Sequence, residues 1–285
     1  MTITLRPGKP SDAPALGPIC YAAFHKISTE HNFPPDFPSA DAATGFVEMA
    51  LSHPEMYSIV AEVGGRIAGS NFLWEQGSIS GVGPITVDPN VQNDGVGRRL
   101  MDAVLQRATS KSAPGVRLVQ AAYHNRSLSL YTKLGFDPRE PLALMQGPPL
   151  GEPIAGYDVR AATAADIAAC NAVCRRVHGH DRPGEVRDAV SRGTATVVEH
   201  NGRITGYATL IGFFGHAVGE TNTAVEALIA QAPRIFGSGM LVPTRNAELF
   251  RWCLQKGLKV VQPMTLMSFG LYNEPRGAFL PSILF

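Results

Sequence analysis

The sequence predicts an α/β (α+β) chain built twice on one plan, each half a mixed, mostly antiparallel central sheet flanked by helices. Three observations carry this. Apolar runs of period two, separated by glycine turns, alternate with helical stretches of period 3.6. The opening strand Ile3-Thr-Leu-Arg6 returns as Tyr157-Asp-Val-Arg160. The hairpin passage Gly65-Arg-Ile-Ala-Gly69 returns as Gly202-Arg-Ile-Thr-Gly206. A chain of 285 residues has room for two domains of ordinary size. Residues 146–153, with three prolines and two glycines, read as the linker between domains 1–148 and 154–285. A long-period duplication of this kind outranks a solenoid.

In chain order, residues 3–6 alternate like an edge strand, and Ser11 or Asp12 caps a helix over 13–24. The run 28–39 carries several prolines, Phe33 and Phe37, and the pair Glu30-His31, which is unusual freight for a plain connector. A second helix covers 40–52. Residues 57–63 and 66–74 form a hairpin around Gly64-Gly65. The strand 80–87 is interrupted by Gly81, Gly83 and Pro84, which predicts a splay with unpaired backbone. Pro89 ends it. Val96, Leu100, Met101, Val104, Leu105 and Ala108 then mark one face of a helix running to about residue 110, and 116–122 is the next buried strand.

Composition narrows the function. Hydrophobic residues make up 45% and charged residues 17%, with a net charge of +1, so neither nucleic acid nor an anionic membrane is an expected partner. The N-terminus lacks the pattern of a signal segment and no apolar run approaches membrane-spanning length, so a soluble, cytoplasmic protein is expected. Cys20, Cys170, Cys174 and Cys253 show no paired metal-binding spacing, and His178 and His180 lack further ligands. Buried reduced thiols and no metal are the expectation.

The chain is organised around Gln92-Asn-Asp-Gly95-Val-Gly97-Arg-Arg99. Gly95 and Gly97 allow positive φ and close approach of a ligand to the backbone. The first N–H groups of the following helix point, with the positive end of its dipole, at whatever the loop holds. This is an anion site suited to phosphate. A Walker loop would require Lys-Ser/Thr where Arg98-Arg99 stands, and a dinucleotide fold would place Gly-x-Gly-x-x-Gly at the first strand. The pattern Val87-x-Pro89-x-x-Gln92-x-x-Gly95-x-Gly97 resembles instead the acetyl-CoA loop of the GNAT N-acetyltransferase superfamily. A second stretch, His124-Asn-Arg-Ser127-Leu-Ser-Leu-Tyr131-Thr-Lys-Leu-Gly135-Phe136, is similar to that family's second signature, with His124 at the usual Asn position and Asn125 one place late.

The resemblance implies an acetyl-CoA-dependent N-acetyltransferase acting on a small primary amine by direct attack. It implies cofactor contacts from Ile85, Thr86 and Val87 on the splayed strand, and from Gln92, Asn93, Asp94, Gly95, Val96, Gly97 and one of Arg98 or Arg99 in the loop. His124, Asn125, Ser127 and Tyr131 follow on the second signature. Tyr131 corresponds to the family's proton donor to the departing thiolate, and the Val87 N–H to the group that polarises the thioester carbonyl. The region 28–39 helps wall the acceptor site in this family. The base that neutralises the amine is open between Glu75, at the end of a strand, and Glu30 or His31, acting through water. A non-catalytic acyl-CoA sensor and a protein acetyltransferase are the alternatives.

The second half lacks this chemistry in sequence. Gly219-Glu-Thr-Asn-Thr-Ala-Val-Glu226 replaces the glycine loop. Aligning Gly257 with Gly135 puts Asn246 at the position of His124 and Cys253 at that of Tyr131. A degenerate, non-catalytic domain that finishes the acceptor pocket is expected, with a buried terminal strand within 277–285 and a monomer or homodimer as the assembly.

Overall fold

The computed structural model describes residues 2–284. The first half runs β1 (Ile3–Pro7), α1 (Ala13–Glu30), α2 (Ala40–Ser52), β2 (Met56–Val63), β3 (Arg66–Trp74), β4 (Ile79–Val82), β5 (Thr86–Val87), α3 (Val96–Ser110), β6 (Gly115–Ala121), α4 (Asn125–Lys133) and β7 (Asp137–Gln146). The second runs β8 (Asp158–Ala161), α5 (Ile167–His178), α6 (Pro183–Ser191), β9 (Thr196–His200), β10 (Arg203–Ala208), β11 (Ala217–Gly219), α7 (Asn222–Ala230), β12 (Met240–Pro243), α8 (Ala247–Gln255), β13 (Lys259–Gly270) and β14 (Ala278–Leu280).

Two largely antiparallel sheets result, each flanked by helices. One has the order β1-β2-β3-β4-β6-β13-β7-β12, with β5 also on β3, and the other β14-β11-β10-β9-β8. The pair β4–β6 is parallel. The two halves exchange strands. After α4 the chain does not return to β6; β7 instead pairs with β12 of the second half. The place beside β6 is taken by β13, which follows α8 in the same way that β7 follows α4. The two exchanged strands pair with each other at the centre.

The duplication also holds at side-chain level. Arg6 on β1 grips Asp12 at 2.7 and 2.9 Å and Glu62 at 2.7 Å. Arg160 on β8 grips Asp166 at 2.8 and 2.9 Å and Glu199 at 2.8 Å. Each Asp also accepts the N–H of the residue three before it, Lys9 or Thr163. One ion-pair motif thus closes the strand-to-helix corner in both halves.

Of the predicted α3 face, Val96, Leu100, Met101, Val104 and Ala108 are buried against β6 residues Val116 and Leu118, with Leu105 half-buried at the margin. On the other side of the sheet Leu16 and Cys20 of α1 pack with Val47 of α2 and Phe72 of β3. Gly64 and Gly65 take φ of 57° and 77°, the mirror-image turn that a two-residue hairpin favours. α1 runs to Glu30, beyond the predicted residue 24. The first proline of the following run is Pro34, so nothing breaks the helix earlier, and Ser28 and Thr29 hydroxyls bond back to the Phe24 and His25 carbonyls. β14 is buried as expected of the terminal segment, whose last residue, Phe285, lies outside the described residues. All four cysteines are buried thiols. Among the described residues no helix is long and apolar enough to cross a membrane.

Candidate active site

The site starts from a split in the first sheet. β4 runs beside β6 only over Ile79–Gly81. The chain then breaks at Gly83-Pro84 and turns back as β5 onto β3, where Thr86 and Val87 pair with Ser70 and Gly69. Gly69 permits this approach, since a Cβ there would meet the Thr86 carbonyl oxygen at 2.3 Å. β6 beyond Arg117 therefore faces a notch rather than a neighbouring strand.

The loop from β5 to α3 lies at the mouth of that notch. Asn93 and Gly95 adopt left-handed φ of 78° and 85°, and no side chain caps the first turn of α3. Its leading N–H groups are thus available to an anion. The Gln92 amide donates to the Val87 carbonyl at 3.1 Å, and Arg126 of α4 donates to Gln92 Oε1 at 2.6 Å and Asn93 Oδ1 at 3.1 Å. Arg126 was not legible from sequence, because α4 meets this loop only through the tertiary fold.

A cavity of about 550 Å³ continues inward from the loop. Tyr131 lines it, 6% exposed, and burial pushes its phenol up to about 12. It therefore keeps its proton at any physiological pH. Ser127 hydrogen-bonds Tyr131, and its hydroxyl also lies 2.8 Å from Nδ1 of His124. Burial, with Arg126 nearby, lowers His124 to about 4, so its ring is neutral. Two buried polar side chains on the cavity wall, Thr86 and Gln120, have hydroxyl or amide atoms without a partner among the described residues. Unpaired buried polar atoms are costly, and a ligand in the cavity is the natural way to satisfy them.

Of the sequence-predicted cofactor residues, Ile85, Thr86, Val87, Gln92, Asn93, Gly95, Val96, Gly97, Arg98, His124, Ser127 and Tyr131 line this one cavity. Asp94 and Asn125 do not, and Arg99 turns away to donate to the Ile3 carbonyl at 2.9 Å. None of the three base candidates reaches it. Glu75 is held by Arg107 at 2.7 and 2.9 Å. Glu30 is exposed, 4.0 Å from Lys26. His31 is exposed, with Nδ1 2.9 Å from the Ile27 carbonyl and its ring against Tyr123. Among the described residues the carboxylate that does line the cavity is Asp36, in the proline-rich run, and burial pushes it up to about 6. The signal for it was its place between Phe33 and Phe37 in the predicted acceptor wall. Phe213, Phe214, Met264, Ile283 and Leu284 bring the second half into the same wall. Among the described residues no group of three or more His, Cys, Asp or Glu is placed to hold a metal.

The corresponding region of the second half is closed. Thr221 accepts the Ala224 N–H at 3.2 Å and so caps α7 with its own side chain. β14 pairs with β11 and packs against β12, occupying the position of the notch. Asn246 caps α8 where His124 stands before α4, and Cys253 is buried at the place of Tyr131.

Residues 22–136 match the profile of the acetyltransferase (GNAT) family. Solved structures extend the likeness to the whole chain. A Pyrococcus horikoshii protein provisionally described as an acetyltransferase superposes with a TM-score of 0.72 at 14% identity, over 99% of this chain and 92% of that one. The fold is a tandem GNAT fold. A GCN5-related N-acetyltransferase from Sphaerobacter thermophilus gives a TM-score of 0.62 at 17% identity, over 95% and 96% of the two chains. A tandem GNAT protein from the clavulanic acid biosynthesis pathway gives 0.57 at 13%, over 94% and 98%. At these identities the likeness is one of fold. No curated protein matches the sequence.

Proposed function

We propose that the protein transfers an acetyl group from acetyl-CoA to a primary amine of a small molecule, with residues 1–148 carrying the chemistry and 154–285 acting as a non-catalytic partner. The observation that carries this is that the uncapped α3 N-terminus and protonated Tyr131 open onto one cavity. The loop N–H groups from Gln92 to Arg98, with Arg98 and Arg126 as cations, bind the pyrophosphate. A helix terminus contributes only about 0.3–2 kcal/mol per charge, so several N–H bonds share the task. The pantetheine arm lies in the notch and pairs with β5, and the Val87 N–H polarises the thioester carbonyl. Tyr131 gives its proton to the departing thiolate, and the His124–Ser127 pair orients its hydroxyl.

The test is release of free thiol from acetyl-CoA in the presence of amines. Thiol release dependent on an amine, abolished in Gly97→Asp with the fold intact, is the expected result. A Cβ at Gly97 meets only ordinary contacts, to Leu130 at 3.7 Å and Val87 at 3.8 Å, so the variant folds. Its carboxylate would repel the pyrophosphate. Undiminished turnover in that variant would remove the loop from the mechanism.

A further inference from the structure

The cavity has two ends of opposite character. The cofactor end carries its cations, Arg98, Arg126 and Lys133. The far end is walled by α1, the segment between α1 and α2, and the second half, and among the described residues its one charged side chain is Asp36. Beyond the Gln262 and Tyr123 side chains beside that carboxylate, the wall is largely apolar. The rings of Phe24, Phe37, Phe46 and Phe214 follow one another with centroids 5.9, 5.9 and 5.3 Å apart, leading from α1 into the second half. Met264 and Ile283 complete the chamber. Phe214 is 42% exposed, an apolar ring left open to solvent on a cavity wall.

Asp36 is held from the second half. The Gln262 amide on β13 hydrogen-bonds its carboxyl, and Gln262 Oε1 accepts from the Tyr123 hydroxyl at 3.2 Å. The Ser238 hydroxyl donates to the Asp36 backbone carbonyl at 3.4 Å. Among the described residues no Lys, Arg or His forms an ion pair with it. A carboxylate in an apolar chamber without a cation is poorly compensated until a ligand supplies one.

Building on the transferase reading above, we propose that the acceptor is a monoamine on an aromatic or branched aliphatic body, that Asp36 binds its ammonium group, and that the same carboxylate takes the first proton. The ammonium N–H bond breaks toward Asp36, leaving a neutral amine. Its lone pair forms the C–N bond to the thioester carbon. The C–S bond then breaks, Tyr131 protonates the thiolate, and the second proton lost from nitrogen restores the Tyr131 hydroxyl. Asp36 returns its proton to solvent, so the products are the amide, free coenzyme A thiol and one proton. A polycation is disfavoured because one carboxylate would leave its other charges unpaired among phenyl rings. An amino acid is disfavoured because its own carboxylate would face Asp36.

The elevated Asp36 suits a base working near neutral pH. The titratable groups that face it do not interfere. Cys20 of α1 and Tyr123 are both pushed up to about 12, with Asp36 contributing, so both stay neutral at working pH.

Thiol release measured with 2-phenylethylamine and isoamylamine, with kanamycin and spermidine, and with phenylalanine and leucine tests the proposal. The two monoamines should exceed the other four by roughly a hundredfold in kcat/KM. Asp36→Asn should lower kcat/KM for phenylethylamine by about 10²–10⁴ and remove a rise with pH centred near 6. Its acetyl-CoA affinity, measured by calorimetry, should stay within about twofold, because the cofactor lies at the other end. Phe214→Ala should raise KM for phenylethylamine about tenfold with little change in kcat, and carries the test with the acceptor ranking if Asp36→Asn does not fold. A preference for polycations or amino acids, or an Asp36→Asn enzyme with wild-type rate and pH profile, overturns this inference and leaves the transferase standing. Thiol release with no acceptor of any class overturns the transferase reading itself.

Discussion

Tyr131 and Asp36 are both acids raised by burial, and in the proposed reaction the size of the rise suits them to opposite roles. The Tyr131 phenol, pushed up to about 12, is a proton reservoir that never empties in the working range. Tyr131→Phe should therefore lower kcat by about 10²–10³ with little change in KM for acetyl-CoA, and wild-type kcat should show no falling limb up to about pH 9.5. A rate retained across pH 6–9 in Tyr131→Phe would assign the proton to another group. Asp36 moves from 3.8 to about 6. Because its pKa is higher in the folded state, the native chain binds the extra proton, and that contribution is fully present below pH 4 and lost as pH rises through 6. Asp36→Asn should then melt on the order of 2–4 °C above wild type at pH 8 and show no gain at pH 4. A gain of equal size at both pH values would mean the carboxyl is not strained by its chamber. Tyr131 was legible in sequence because a spaced motif surrounds it. Asp36 was legible only by its place between Phe33 and Phe37, because its surroundings include Gln262 and Ser238, both more than two hundred residues away.

At the level of elements, the sequence carries clear signals where the chemistry is local. The helical face of α3, the Gly64-Gly65 hairpin and the break at Gly83-Pro84 all depend on residues within a few positions of one another. β7, β12 and β13 escaped because their partners are set by the exchange, which no periodicity records. The loop predicted to bind pyrophosphate has the uncapped helix start its glycines imply, while the remote clamp from Arg126 had no sequence signal. The repeated corner was legible only as an echo of Arg6 in Arg160. Asp166 is held well below the usual carboxylate range by Arg160 and by the Thr163 N–H. Its stabilising effect is present above the ordinary Asp pKa and is lost as pH falls below it. Asp166→Asn should cost about 1–2 kcal/mol in urea unfolding at pH 7, with the cost shrinking below pH 4. No difference at pH 7 would make the corner dispensable.

Across the whole molecule, the exchange makes the halves one object. Without β13 the first half would expose the long edge of β6, and without β7 the second would expose β12. The intact chain should unfold in one cooperative transition, with fluorescence and far-ultraviolet dichroism coinciding. Two separated transitions would show that the exchanged strands do not couple the halves. The same exchange gives the second half a place in the site without an open notch of its own: it delivers Gln262 to Asp36, and its chain places Phe214 and Ile283 in the cavity wall proposed to hold the acceptor. Its own notch is filled by β14, and α7 is capped by Thr221. Calorimetric titration of the intact chain with acetyl-CoA puts this asymmetry to the most direct test. One site per chain, lost in Gly97→Asp, is the predicted result; two sites, or one site that survives Gly97→Asp, would contradict it.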